Sequence, residues 1–414
     1  MLWIYYLINI YIIDNIYMNY RQKYLKYKNK YMQLKGKIDM ENNFIGGQNT
    51  IEFDDKISDA NHIFAINLFN NFDSVSNIFS PLSINYALSL LHLAALEKTN
   101  LELSNLLKYK YTVDDLQVIH SIFNDDTIDM TNLMLVNKTQ NINKKYKNMV
   151  NNLVKVIQED FENPDLVAQK INHYVENKTN GLIKDIISPK NINNEIIMIL
   201  VNTVYFKSKW KYGFDANKTF REKFGSEKKI VDLMNNKINI NYYENKSFQI
   251  VEIPYQNENY VMGIILPKIV PDNDTIDYTI NNVPIITAQE INELINNLSL
   301  EKVDLYIPKF TDKKKIKLVP ILKKMGLIKI FDTNMCQLDL ISNNMCISNI
   351  IHEAVIIIDE SGTTASAATV VTGRALARAP KKENIKTFRA DHPFVYYIRH
   401  IPTNMFLFFG DFQG

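Results

Sequence analysis

The amino-acid sequence predicts an α+β fold. Apolar, β-branched runs read as buried strands, other stretches carry the three-to-four-residue apolar spacing of helices, and the two kinds are mixed rather than strictly alternating. No period of 20–50 residues repeats, which removes solenoids and propellers. With 414 residues, 46% of them hydrophobic and 22% charged, the chain can bury a sizeable core. A net charge of +2 implies no general affinity of that core for nucleic acid. Cys336 and Cys346 supply neither a disulfide framework nor metal-ligand spacing and are expected to be reduced thiols, which fits an intracellular protein. The sequons at Asn137 and Asn217 are expected by chance in so asparagine-rich a chain.

Residues 1–50 stand apart as an N-terminal extension. Met1 to Ile13 is apolar, but Asp14 ends it short of the roughly 20 residues of a membrane span, and it lacks the basic start and cleavage site of a signal peptide. From Tyr20 to Lys37 lysine and tyrosine interleave. This pattern reads as a solvated helix or mobile tail; contact with an anionic membrane surface, single-stranded nucleic acid or another partner is the alternative. Gly46 and Gly47 read as the linker to a folded domain over 51–414.

Within 51–414 each element has a local cause. Ala60 to Phe69 has the spacing of an amphipathic helix. Ser80 before Pro81 suits an N-cap with proline at the first helical position, opening a more buried helix that runs to Leu91. Residues 101–170 are helical and polar by turns, with Asn132 to Asn137 a strand. Ile196 to Trp210 reads as a long apolar strand ending at one of only two tryptophans, whose simplest role is core packing. Ile250–Tyr255 and Tyr260–Pro267 read as two strands closed by prolines. Asp304–Phe310 is another strand, and Leu318 to Met325 a helix stopped by Gly326.

The most distinctive stretch follows Ala354–Asp359, a β-branched run suited to a central strand. The chain is expected to turn at Gly362 and run into solvent. Yet Ser361 to Val370 are all small or β-branched, and no charge or proline occurs before Arg374. A loop that only had to stay soluble would carry Lys, Asp, Asn or Pro. This one is fit to become a strand. Thr363, Ala365, Ala367, Thr369 and Val371 would share one face, compact enough to lie under helices, and Thr364, Ser366 and Ala368 would face water. A flexible Ala/Ser/Thr linker is the competing reading.

Thr387 to His400 and Asn404 to Phe412 then read as aromatic strands. In this order and at this end of the chain, the small-residue segment and the aromatic strands resemble the serpin family: the hinge of its reactive-centre loop and its C-terminal signature. Asn77–Leu91, Ile171–Ile183, Ile196–Trp210 and Leu327–Phe331 are similar to the family too, with Tyr174 where tryptophan is usual. Ala94, Ala95 and Glu97 depart from it, standing where glycines are usual. The resemblance covers Phe53 to Gly414. It implies a single, monomeric domain with a large, mostly antiparallel central sheet, two further sheets, about eight or nine helices and an exposed reactive-centre loop. It also implies that Ser80, Ser83, Asn202 and His352 form a buried cluster holding two central strands closed, with Trp210 where the loop enters. The Lys/Tyr segment resembles N-termini of giant amoeba-infecting DNA virus proteins, and the lack of a leader favours an intracellular or virion-associated protein over a secreted one.

No nucleophile elbow, Walker loop, dinucleotide turn or metalloprotease helix occurs, so the chain is expected to be no enzyme and to need no cofactor or metal. The resemblance implies a suicide substrate instead. A serine or cysteine protease attacks the loop and forms an acyl-enzyme. The hinge residues Glu360, Gly362, Thr363, Ala365, Ala367 and Thr369 then enter the sheet, and the protease is distorted before water can release it. The family's spacing of about sixteen residues beyond Glu360 places the scissile bond at Leu376–Ala377, which suits chymotrypsin-, elastase- or cathepsin-like targets. A slightly different hinge length would present Arg374 or Arg378 to a trypsin-like protease. The alternative is a non-inhibitory serpin-fold carrier, chaperone or surface-binding protein; a hinge free of charge, bulk and proline favours inhibition.

Overall fold

The structure is a computed structural model that describes residues 54–73, 77–123, 126–226, 228–268, 286–343, 345–363 and 385–414. All belong to the unit Phe53–Gly414. The N-terminal extension, the hinge positions Ala365, Ala367 and Thr369, and the cleavage candidates Arg374, Leu376, Ala377 and Arg378 lie outside the described residues.

A central sheet organises this unit. Its order is β3 (Lys155–Glu159), β2 (Ile128–Asn137), β4 (Met198–Phe206), β11 (Asn349–Ile358) and the second half of β10 (Ser299–Lys317). β2 runs antiparallel to β4, and β10 to β11, but β4 and β11 run parallel, from Asn349 opposite Ile199 to Val355 opposite Tyr205. Two further groups of strands share the long strands β7 (Lys229–Glu244) and β10. One sets β6 (Phe220–Phe224), β7, the first half of β10 and β13 (Lys386–Arg389) side by side. The other continues from β7 through β8 (Phe248–Pro254), β9 (Tyr260–Pro267), β14 (Phe394–His400) and β15 (Met405–Phe412) to β1 (Ile78–Phe79). Two short strands, β5 (Ser208–Lys209) and β12 (Gly362–Thr363), complete the set.

β10 is much longer than the run Asp304–Phe310 suggests. In its charged half, three of the charges have partners elsewhere in the unit. Asp312 receives the Tyr396 hydroxyl at 2.7 Å, and Lys313 and Lys315 donate to the carbonyls of Leu182 and Asp185.

Among the described residues there are eight α-helices: α1 (Asp55–Asn70), α2 (Pro81–His92), α3 (Glu97–Leu107), α4 (Val113–Ile122), α5 (Lys144–Met149), α6 (Pro164–Lys178), α7 (Ala288–Asn296) and α8 (Val319–Lys324). α2 is the helix that the sheet closes over. All twelve of its residues are buried, Pro81 sits in its first turn, and the Ser80 hydroxyl accepts from the Ser83 N–H at 3.1 Å. Glu97, where the family usually has glycine, begins α3 with φ +42°, a backbone region unfavourable to any residue with a Cβ.

The central sheet is covered on both faces. Ile350, Ala354, Ile356 and Ile358 join the main core with α1 and α2, whereas Ile351 and Val355 of β11 and Ile199 and Val201 of β4 pack with Val167, Ile171 and Val175 of α6. At the level of Ile351 to Val355 the second of these faces lies under α6. Thr364, Ser366 and Ala368, expected to face water in an inserted strand, lie outside the described residues.

Candidate functional site

The site is the seam between β4 and β11 together with the turn at its top. β11 ends in a tight hairpin. The Asp359 N–H donates to the Gly362 carbonyl at 3.0 Å and the Gly362 N–H back to the Asp359 carbonyl at 3.3 Å. The Asp359 carboxylate also accepts from the N–H groups of Ser361 and Gly362, an Asx turn that fixes the reversal. Gly362 has φ +150°, and a Cβ there would lie 2.3 Å from the Ser208 carbonyl oxygen and 2.6 Å from the Lys209 Cα. Only glycine fits.

The two residues of β12 have thereby already turned back into the sheet. Thr363 pairs antiparallel with Ile358 of β11, and Gly362 and Thr363 pair antiparallel with Lys209 and Ser208 of β5, just beyond the end of β4. The Thr363 side chain is fully buried, with its hydroxyl 2.7 Å from that of Tyr255. This hairpin top is held from outside. Trp210 lies stacked on Tyr255, with ring centroids 4.6 Å apart, and its indole N–H donates to the Asp359 carbonyl at 2.8 Å. The Phe214 and Trp210 backbone N–H groups donate to the carbonyls of Glu360 and Ser361, both at 2.9 Å. The Glu360 carboxylate accepts from Thr219 Oγ1 and Lys309 Nζ, each at 2.9 Å. Burial pushes its pKa up, but the Lys309 ammonium and the other donors outweigh this and hold it below the ordinary glutamate value.

Midway down the seam lies a polar cluster. His352 and Asn202 stand directly opposite one another. His352 Nε2 accepts from the Ser80 backbone N–H at 3.0 Å, so that nitrogen carries no proton. The other nitrogen, Nδ1, therefore donates to Asn202 Oδ1. Asn202 Nδ2 in turn faces the Ser83 carbonyl and hydroxyl and Asn132 Oδ1. Burial pushes His352 down to about 3, against a smaller opposing pull from Asn202, so the ring is neutral at ordinary pH. Ser80, Ser83, Asn202 and His352 thus come together; Trp210 sits apart from them at the hairpin top.

Asn132 extends this cluster to a third strand, β2, opposite Asn202. Sequence reasoning placed it only in a strand; an amide leading an apolar run was the available signal. Tyr255, Lys309 and Thr219 were also missed, because each meets the hinge across 51 or more positions of chain.

On the other face of the same seam, Glu353 stands opposite Thr203. Both side chains are buried, and among the described residues Glu353 Oε2 and Thr203 Oγ1 have no hydrogen-bond partner. Lys313 and Lys315 lie 3.3 and 4.0 Å from that carboxylate. Such a seam carries less than its full complement of bonds.

The comparisons with known proteins agree with this geometry. The family profile described as Serpin (serine protease inhibitor) matches residues 59–413. An uncharacterized serpin-like protein of Acanthamoeba polyphaga mimivirus is 47% identical over 96% of this chain and 100% of its own length, more of this chain than residues 51–414 supply. The leukocyte elastase inhibitor of Equus caballus is 31% identical over 87% of this chain and 100% of its own. Among solved structures, that of a tumour-suppressing serpin superposes with a TM-score of 0.76 at 25% identity, covering 87% of this chain and 99% of that one. The thermophilic serpin tengpin in its native state superposes with a TM-score of 0.77 at 24% identity, covering 89% and 96%. The chain belongs to the serpin family.

Proposed function

We propose that the chain inhibits a serine or cysteine protease as a suicide substrate, by inserting its cleaved loop between β4 and β11. The observation that carries this is the placement of Gly362 and Thr363. They already pair on both sides at the top of the seam, antiparallel to β11 and to the continuation of β4. A segment that reverses out of β11 must run antiparallel to β11, and because β4 is parallel to β11, antiparallel to β4 as well. Insertion would replace one parallel ladder with two antiparallel ones, the slightly stronger pairing.

The register supports the same reading. Extending Ile358 opposite Thr363 and Ser208 opposite Thr363 down both strands, the two ladders agree at every rung. Thr369 falls level with His352 and Asn202, where its hydroxyl can take over their hydrogen bonds. Ala368 falls between Glu353 and Thr203. The last rung, Asn349 opposite Ile199, receives Thr372, so the first charged residue of the loop, Arg374, lies just past the end of the seam.

Ten residues at about 3.3 Å each carry the loop's far end on the order of 30 Å along the sheet. A protease held as an acyl-enzyme at Leu376, or at Arg374 or Arg378, would travel with it. Roughly ten added rungs at about 1 kcal/mol each, before side-chain burial, release on the order of 10 kcal/mol. The serpin itself contributes no catalytic group. Its role is to receive the strand faster than water deacylates the protease.

Incubation with chymotrypsin-, elastase-, trypsin- and cathepsin-type proteases, followed by denaturing electrophoresis, tests the proposal. The expected result is an SDS-resistant adduct with at least one protease. Simple cleavage of the loop by all of them, with no adduct, would overturn it.

A further inference from the structure

We propose that Asp312, Tyr396 and Asp411 form a proton-operated clasp between the central sheet and the C-terminal strands, tighter in mildly acidic than in neutral solution. Asp312 lies in the second half of β10, opposite Ile356 of β11. Tyr396 of β14 and Asp411 of β15 belong to the other group of strands, where Tyr396 stands opposite Gly410 and Val395 opposite Asp411. The Tyr396 hydroxyl crosses between the two groups and donates to Asp312 Oδ2 at 2.7 Å. Gly410 makes room for it, since a Cβ there would lie 2.9 Å from the hydroxyl oxygen and 2.4 Å from the Asn77 carbonyl oxygen. Asp411 is fixed by the strand edge beside it. Its N–H donates to the Asn77 carbonyl at 3.0 Å, Oδ1 accepts the Asn77 N–H at 2.8 Å, and Oδ2 accepts the Gln413 amide at 2.8 Å. One phenol thus brings a second acid to the place where Asp411 is already held.

The surroundings of this junction are apolar. Tyr396 and Asp411 are buried, and the Phe310 ring lies 5.3 Å from that of Tyr396 and 4.6 Å from that of Phe412. Two carboxyl groups in such a place cannot both be charged without cost. Burial pushes Asp312 up to about 6, helped by the charge of Asp411 and opposed by the Tyr396 hydroxyl, Lys314 and the Lys313 N–H. From β11 it meets only Ile356, which does not titrate. Burial and Asp312 hold the Tyr396 phenol well above its usual range, so it remains a donor throughout. A protonated Asp312 keeps an acceptor oxygen for that donor, so the hydrogen bond outlasts the charge. The folded chain binds this proton more tightly than the unfolded chain, where the group titrates near 3.8. The contribution of Asp312 to stability is therefore lowest above pH 7, grows as pH falls through 6, and is complete below 3.8. Buried histidines such as His352 act in the opposite sense, so a variant is needed to separate the two. The clasp does not rest on the insertion proposed above.

The test is thermal melting of the intact full-length chain and its Asp312→Asn variant at pH 8, 7, 6 and 5. Asparagine keeps an oxygen for the Tyr396 hydroxyl and carries no charge. Whatever the variant's baseline, its melting temperature relative to the unchanged protein should fall by about 3 °C between pH 8 and pH 5. A difference that stays constant with pH, or rises on acidification, overturns the proposal. Infrared difference spectra of the unchanged protein between pH 7.5 and 5 give a readout that needs no variant. A protonated-carboxyl C=O band should appear over that range and be missing from Asp312→Asn. Absence of the band in the unchanged protein, or its persistence in the variant, overturns the clasp.

Discussion

β11 and β14 are both central strands, yet their surroundings differ. β14 lies between two antiparallel neighbours, β9 and β15, with all seven residues buried. Its charges are fully paired: Arg399 makes three hydrogen bonds of 2.7–2.9 Å to Glu252, which also receives the Tyr397 hydroxyl at 3.0 Å. Gly263 on β9 has no Cβ because one would lie 1.9 Å from the Tyr397 ring. Nothing in that half could be parted without loss. β11 instead has one parallel neighbour, β4, a chain of hydrogen-bonded polar side chains on one face of the seam, and on the other Glu353 and Thr203, each with an atom that has no hydrogen-bond partner among the described residues. The contrast teaches that the β4–β11 ladder holds buried side-chain atoms without a hydrogen bond among the described residues, whereas the charges of β14 are paired.

Substitutions can break or sharpen this contrast. The largest expected effect is Thr363→Arg, which sets a cation in a fully buried slot at the mouth of the seam; adduct formation should vanish while loop cleavage persists on the same gel. An adduct that survives would contradict the role given to the hairpin top. Next, Arg399→Met strands a buried carboxylate and should cost about 3–5 kcal/mol in urea unfolding, equally in intact and nicked chains, because β9 and β14 do not change partners. His352→Leu leaves the Ser80 N–H and Asn202 Oδ1 without their partner and should cost about 2–4 kcal/mol in the intact chain. The nicked chain should lose less, since Thr369 would bring a hydroxyl to the same level.

Acid should act in the same direction as that last substitution. Burial depresses His62, His92, His120, His352 and His400, the last with help from Arg399. The unfolded chain takes up protons near the ordinary value of 6.5, whereas the folded chain does not, so stability is complete above that pH and falls as pH drops toward 4 and then 3. Melting temperature should be level from pH 7 to 8 and decline below about 6. The smallest effect is Glu97→Gly, which should raise stability by up to about 1 kcal/mol by removing an unfavourable positive φ, less whatever is lost with the Gln337 contact.

Much of this was legible in the sequence wherever the cause is local. Ser80 and Pro81 announce the start of α2, the apolar run from Ile196 to Trp210 announces β4, which stops at Phe206, and Gly362 announces the turn after β11. What escaped depends on residues far apart in the chain. Asn132 gains its role only opposite Asn202, and Lys309 only beside Glu360. The charged half of β10 lies beyond the predicted strand Asp304–Phe310, and Lys313 and Lys315 find their acceptors in the segment after α6.

The most direct measurement compares the melting of intact and loop-nicked chains under one set of conditions. With on the order of 10 kcal/mol released by insertion, and about 2 °C per kcal/mol for a domain of this size, the nicked chain should melt roughly 20 °C higher. Coincident melting curves would mean that no free energy is stored in the open seam, and would contradict the trap.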